Sequence, residues 1–124
     1  MHLRRILLVA LGGAVGTAAR IGLELAVPHH DSFPLATLIA NILGALLIGV
    51  LAARLPASAD LRVMLGTGVL GGFTTYSAFM TGTVALWTDA PLVAVAYAAG
   101  SLVLGLAAAA LGLRLGRPRI GVTP

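Results

Sequence analysis

Four long apolar runs, Ile6 to Val27, Leu35 to Ala53, Val63 to Trp87 and Leu92 to Leu113, leave this 124-residue chain little choice of solvent. Each reaches the roughly 17 to 25 residues that carry a helix across a hydrocarbon core. With 59% hydrophobic residues, 10% charged ones and a mean hydropathy of +1.03, the chain lacks the polar surface a soluble domain needs. The expectation is an all-α integral membrane protein, one four-helix transmembrane domain over 1–124 with its spans near 6–27, 35–53, 63–87 and 92–113. Arg4 and Arg5 before an apolar core imitate a signal peptide, but the length of the first run and the three that follow favour a retained first helix.

The run from Val63 to Trp87 carries an unusual core, GGFTTYSAF at 71–79. A glycine pair gives little support to a helical turn, and β-branched Thr74 and Thr75 follow, so an unwinding or bend is expected within this stretch. Irregular backbone at that depth is tolerated only where protein buries it or a polar cavity takes it up. Tyr76 and Phe79, three apart, should project on about the same side of the segment that follows.

Elsewhere polar residues are sparse and correspondingly informative. Gly12, Gly13 and Gly16 form a patch that admits a close neighbouring helix. Arg20 and Glu24, four apart near the outer end of the first span, either compensate each other or place Arg20 in an anion-attracting vestibule. Asn41, in the second span beside the small ridge of Ala36, Ala40 and Gly44, must find a partner inside the protein or line a pore, and Thr37 lies one turn before it. Asp60 is placed to cap the third helix. Tyr97, Ser101, Gly105 and Ala109 share one stripe of the last span, and Tyr97 and Ser101 offer hydroxyls along it. His29, His30 and Asp31 read as an exposed loop rather than a metal site. The tail from Arg114 is basic and expected to fray.

These features exclude several classes of function. With no cysteine there is no disulfide or thiolate chemistry. Glu24 is the one carboxylate in the membrane region, too few for paired acid/base work, and no phosphate-cradling loop or hydrolase constellation is present, so an enzyme is not expected. A net charge of +4 and a pI near 11.2 would suit nucleic acid, but all the basic residues are arginines, mostly at the ends of apolar runs, and topology explains them better. What remains is a set of uncharged donors and ring edges: Asn41, Thr37, Thr74, Thr75, Tyr76, Ser77, Phe79, Tyr97 and Ser101. Such weak ligands suit conduction of a small, hydrogen-bond-hungry anion. Four short helices leave little room for a pore, so a two-fold dimer is expected, and a cation at converging backbone carbonyls from two breaks would act as a staple.

GGAVGTAAR at 12–20, ATLIANILGALLIG at 36–49 and GVLGGFTTYSAF at 68–79 resemble the signature stretches of the fluoride channels called Fluc or CrcB. With Tyr97 and Ser101 the resemblance reaches all four spans. It implies an antiparallel dimer of four-helix subunits that exports fluoride passively, with a structural sodium ion at the centre. Position by position, the resemblance assigns sodium-ligating backbone carbonyls to Gly71 and Thr74 and the fluoride path to Asn41, Tyr76, Phe79, Tyr97 and Ser101. Arg20, Thr37, Thr75 and Ser77 are left to a vestibule or to structure. The chain departs from the family pattern at Thr17, Ile21, Ala36 and Tyr76, where alanine, tyrosine, glycine and phenylalanine are usual, and Gly105 and Ala109 lack hydroxyls. A small multidrug exporter has the same outline but needs a carboxylate well inside the first helix. A non-conducting assembly partner would leave the 71–79 stretch unexplained.

Charge placement bears on orientation independently. Arg4, Arg5, Arg54, Arg62, Arg114, Arg117 and Arg119 would all lie on the side of the termini, and the loops at 28–34 and 88–91 hold no arginine. Both termini are therefore expected in the cytoplasm. Such a strong bias favours pairing with a homologous partner of opposite charge bias over an antiparallel homodimer.

Overall fold

A computed structural model of the chain describes residues 2–28, 32–119 and 121; His29, His30 and Asp31 lie outside them. The architecture is all-helical: α1 (His2–Ala26), α2 (Leu35–Arg54), α3 (Asp60–Arg62), a π-helical segment (Val63–Leu70), α4 (Gly71–Phe73), α5 (Tyr76–Asp89) and α6 (Pro91–Gly116). Among the described residues three helices, α1, α2 and α6, are long and apolar enough to cross a membrane. The protein is a multi-pass membrane protein, and its large side chains face outward accordingly. Leu3, Leu25, Leu92 and Leu106 are each at least 69% exposed, whereas the buried residues include Ala40, Ala94, Tyr97 and Thr37. A soluble domain would reverse that distribution.

Small residues decide which helices meet. α1 lies along the π segment and α4, while α2 lies along α6, with α5 also on α6. A Cβ on Gly12 would press into the Met64 carbonyl, one on Gly16 into the Val69 carbonyl, and one on Gly72 into the Gly13 carbonyl. The glycine patch of the first run thus admits a close neighbour, as expected. Between α2 and α6 the same part is taken by Gly49, Gly112 and Gly116, where added side chains would meet backbone of the opposite helix.

Within the 71–79 stretch Gly71 and Gly72 stay helical, and the chain leaves the helix at Thr74 and Thr75, whose ψ angles are 154° and 119°. Gly72 instead lets α1 approach closely. The expectation for Asp60 is corrected. Asp60 makes no capping hydrogen bond. Its carboxylate is drawn instead to Arg4 and Arg5, at 3.1 and 3.0 Å, which tie the start of α1 to the connection after α2. Two guanidinium groups outcompete a backbone N–H for one carboxylate.

Candidate functional site

The interruption at 74–75 is held by Asn41. Its Oδ1 accepts from the Thr75 N–H at 2.8 Å, and its Nδ2 donates to the Thr75 carbonyl at 3.0 Å. The side-chain amide thus replaces the backbone partners that Thr75 loses on leaving the helix, which is how irregular backbone survives in an apolar setting. Thr74 closes the preceding turn, with both its N–H and its Oγ1 donating to the Leu70 carbonyl at 2.9 Å. Gly44 makes room here, since a Cβ on it would strike the Thr74 methyl group. Thr75 then caps α5: its Oγ1 accepts from the Ala78 N–H at 3.2 Å and lies 3.2 Å from the Ser77 hydroxyl. The hydroxyls of Thr75 and Ser77 are therefore committed to starting a helix.

Around this point a cavity of about 290 Å³ brings together Asn41, Thr74, Thr75, Tyr76, Phe79 and Ser101. Ser101 also lines a second cavity of about 380 Å³ with Tyr97 and Phe33. Four rings follow one another along this path. Tyr76 and Phe79 have centroids 6.0 Å apart, Phe79 and Tyr97 5.6 Å, and Tyr97 and Phe33 5.5 Å, the last pair edge to face at 83°. Phe33 escaped the sequence reading. Its signal was slight, a lone aromatic in the loop before α2, and only its edge contact with Tyr97 gives it a place.

The polarity of the path is set by which atoms remain uncommitted. The hydroxyls of Tyr97 and Ser101 are buried side by side and find no further hydrogen-bonding partner among the described residues. If one donates to the other, a second O–H still remains, and a buried polar group left unmatched costs about 1 to 3 kcal/mol unless water or an ion meets it. On Asn41 the carbonyl oxygen is engaged, while the amide nitrogen keeps a second hydrogen after serving Thr75. Tyr76, 75% exposed, presents its ring outward from the start of α5.

Arg20 and Thr37 stand apart from this group. In the last two turns of α1, Arg20 pairs with Glu24 at 3.1 Å and makes a long, 3.4 Å hydrogen bond to the Gly72 carbonyl. Thr37 is buried and lines a separate cavity with Glu24 and Phe33. Gly71 is exposed one turn ahead of Thr74; the Thr75 N–H that would serve its carbonyl in a continuous helix has gone to Asn41.

The comparisons with known proteins bear on this arrangement. The family described as CrcB-like protein, Camphor Resistance (CrcB), matches residues 7–113. The chain is 50% identical over 113 residues to the fluoride-specific ion channel FluC of Paracoccus denitrificans, covering 88% of this chain and 91% of that one. It is 45% identical over 127 residues to a FluC of Thermus thermophilus, covering 98% and 100% of the two chains, and 41% identical to FluC 2 of Bacillus subtilis, covering 92% and 88%. With the match extending from the second turn of α1 into the last turn of α6, the chain belongs to the CrcB family.

Proposed function

We propose that this chain is a subunit of a fluoride-specific ion channel in the cell membrane, through which fluoride leaves the cytoplasm passively. The single observation that carries the reading is the pair of buried hydroxyls, Tyr97 and Ser101, with no partner beyond each other, beside the spare N–H of Asn41 and the ring edges of Tyr76 and Phe79. Donors and positive ring edges favour a small anion, and weak ligands in series let it move on. The names of the relatives point to fluoride, and no acid/base pair for an enzyme is implied by this set. A multidrug-type proton-coupled cation exporter needs a free membrane carboxylate, and Glu24 is paired with Arg20. A non-conducting partner subunit would have no use for a buried hydroxyl donor kept free of the fold.

In this reading 60–89 is a third crossing, interrupted at Thr74-Thr75, so that 1–124 forms one four-helix domain. Two such subunits meet in antiparallel orientation at their interruptions. Fluoride passes Asn41, Tyr76, Phe79, Tyr97 and Ser101, with Arg20 and Thr37 toward the vestibules. A sodium ion would be held by the Gly71 and Thr74 carbonyls. The fit is supported by the loss of Gly71's helical donor to Asn41 and by the extended ψ of Thr74, which turns its carbonyl out of the helix. Two oxygens are too few for a hard cation, so a second subunit must bring more. The ion would supply positive charge that gathers carbonyl dipoles of both subunits.

Reconstitution into liposomes tests the function directly. Fluoride efflux with no guanidinium transport is expected, and the reverse selectivity would sink the reading. Tyr76→Ile or Phe79→Ile keeps bulk but removes a ring edge worth about 0.5 to 1.5 kcal/mol in an aromatic contact, and should slow efflux several-fold or more. Tyr76→Phe should conduct like the parent; isoleucine variants that do the same would reduce the rings to packing.

Orientation rests on charge. Arg5 bonds to Asp60 and the Ser58 carbonyl, Arg62 to the Leu55 carbonyl, and Arg54, Arg114, Arg117 and Arg119 share a cavity, so the arginines gather at one end. Both termini then face the cytoplasm, and the antiparallel partner is a homologous chain of opposite charge bias. Relatives whose names carry the numeral 2 are consistent with paired chains. Accessibility of tags at both termini in intact cells should show one orientation; an even split, with efflux by this chain alone, would replace the paired reading by a homodimer.

A further inference from the structure

Where α2 and α6 end, Arg54, Arg114, Arg117 and Arg119 ring a cavity of about 490 Å³. None of the four has an ion pair or a side-chain hydrogen bond among the described residues: the ion pairs use Arg4, Arg5 and Arg20, and Asp60 is already held by the first two. Topology asks only that such charges lie at one end of the helices. It does not ask that four of them, all solvent-exposed, converge on one hollow, where their summed positive potential attracts an anion. The convergence is imposed by Gly49, Gly112 and Gly116, which draw α2 and α6 together just before the arginines. The hollow is far larger than a monatomic anion, and guanidinium groups match phosphate oxygens by bidentate hydrogen bonds.

A second cavity begins at the same residue. Arg54 also borders an apolar groove of about 360 Å³ between α2 and the π segment, lined by Leu47, Leu51, Leu65 and Val69. A phosphate-sized basic hollow at the end of membrane-crossing helices, joined through one arginine to an apolar groove running into the membrane, has the two-part chemistry of a phospholipid. We propose that an anionic phospholipid docks here, its phosphate among Arg54, Arg114, Arg117 and Arg119 and one acyl chain along Leu47 and Val69. Free phosphate would use the first cavity and leave the second unexplained; a second copy of this chain would use the groove and leave the arginines unexplained.

Native mass spectrometry of the full-length protein, in micelles doped with phosphatidylglycerol, phosphatidylcholine or inorganic phosphate, tests this. Phosphatidylglycerol should be retained about tenfold better than phosphatidylcholine, a step of one decade that charge-assisted pairs readily supply. The double variant Arg54→Gln, Arg114→Gln should erase the preference. Leu47→Trp, which fills the groove and leaves every arginine in place, should lower phosphatidylglycerol retention as well, which guards against misfolding of the arginine variant. Equal retention by parent and arginine variant overturns the proposal. So does displacement of the lipid by inorganic phosphate with Leu47→Trp silent, which marks a free-phosphate site. A change of oligomeric state in Leu47→Trp without loss of lipid assigns the groove to a second copy and overturns it too.

Discussion

Replacement of Asn41 by alanine is expected to abolish measurable fluoride efflux. The substitution removes both hydrogen bonds that hold Thr75 outside the helix and leaves a part-buried N–H and carbonyl without these partners, a loss of about 2 to 4 kcal/mol. If that loss falls on the conducting arrangement, about 3 kcal/mol corresponds to a roughly hundredfold fall in flux. Asn41→Asp separates the two bonds: its carboxylate can still accept from the Thr75 N–H but faces the Thr75 carbonyl with an acceptor or a misplaced proton. It should therefore be impaired as well, although it is nearly isosteric. Hydrogen exchange at the Thr75 amide supplies a reading independent of flux, since this N–H should become markedly less protected in both variants. Wild-type protection in Asn41→Ala would show that something other than Asn41 holds the interruption.

The second large effect contrasts neighbouring glycines. A Cβ at Gly72 would meet the Gly13 carbonyl and the Thr17 N–H within the subunit, so Gly72→Val must push α1 away. Overpacking of this kind costs about 1 to 3 kcal/mol, and more where the obstacle is backbone. At Gly71 a Cβ finds only the Gly66 carbonyl, 3.8 Å away. Gly71→Val therefore leaves the isolated subunit's thermal stability near that of the parent, and the protein still inserts. Under the proposed assembly, Gly71 lies where two subunits and a cation converge, so the same change should nonetheless eliminate transport and reduce the dimer fraction in detergent. Transport by Gly71→Val at the parental rate would remove the central staple.

The two glycines also mark the boundary between sequence and structure. Membrane residence, the close-packing patch at Gly12 and Gly16, and the short list of polar residues inside apolar runs were legible from the chain, because hydropathy and helical periodicity are local properties. Local reasoning confined the interruption to the 71–79 stretch, where propensity is weak. It lies at Thr74-Thr75, past the glycine pair, because an amide 34 residues away offers Thr75 both a donor and an acceptor, and propensity differences of about 1 kcal/mol yield to two part-buried hydrogen bonds. Asp60 follows the same logic, taken from its own helix by Arg4 and Arg5. Phe33 joined the aromatic path only through its contact with Tyr97, and the four arginines at the helix ends became one hollow only through the glycines that bring α2 against α6. Sequence alone determined the solvent this protein lives in and the residue types available to an ion. Tertiary packing decided which of those residues spend their hydrogen bonds on the fold and which keep them uncommitted, because each polar atom in an apolar medium goes to the partner that geometry brings nearest.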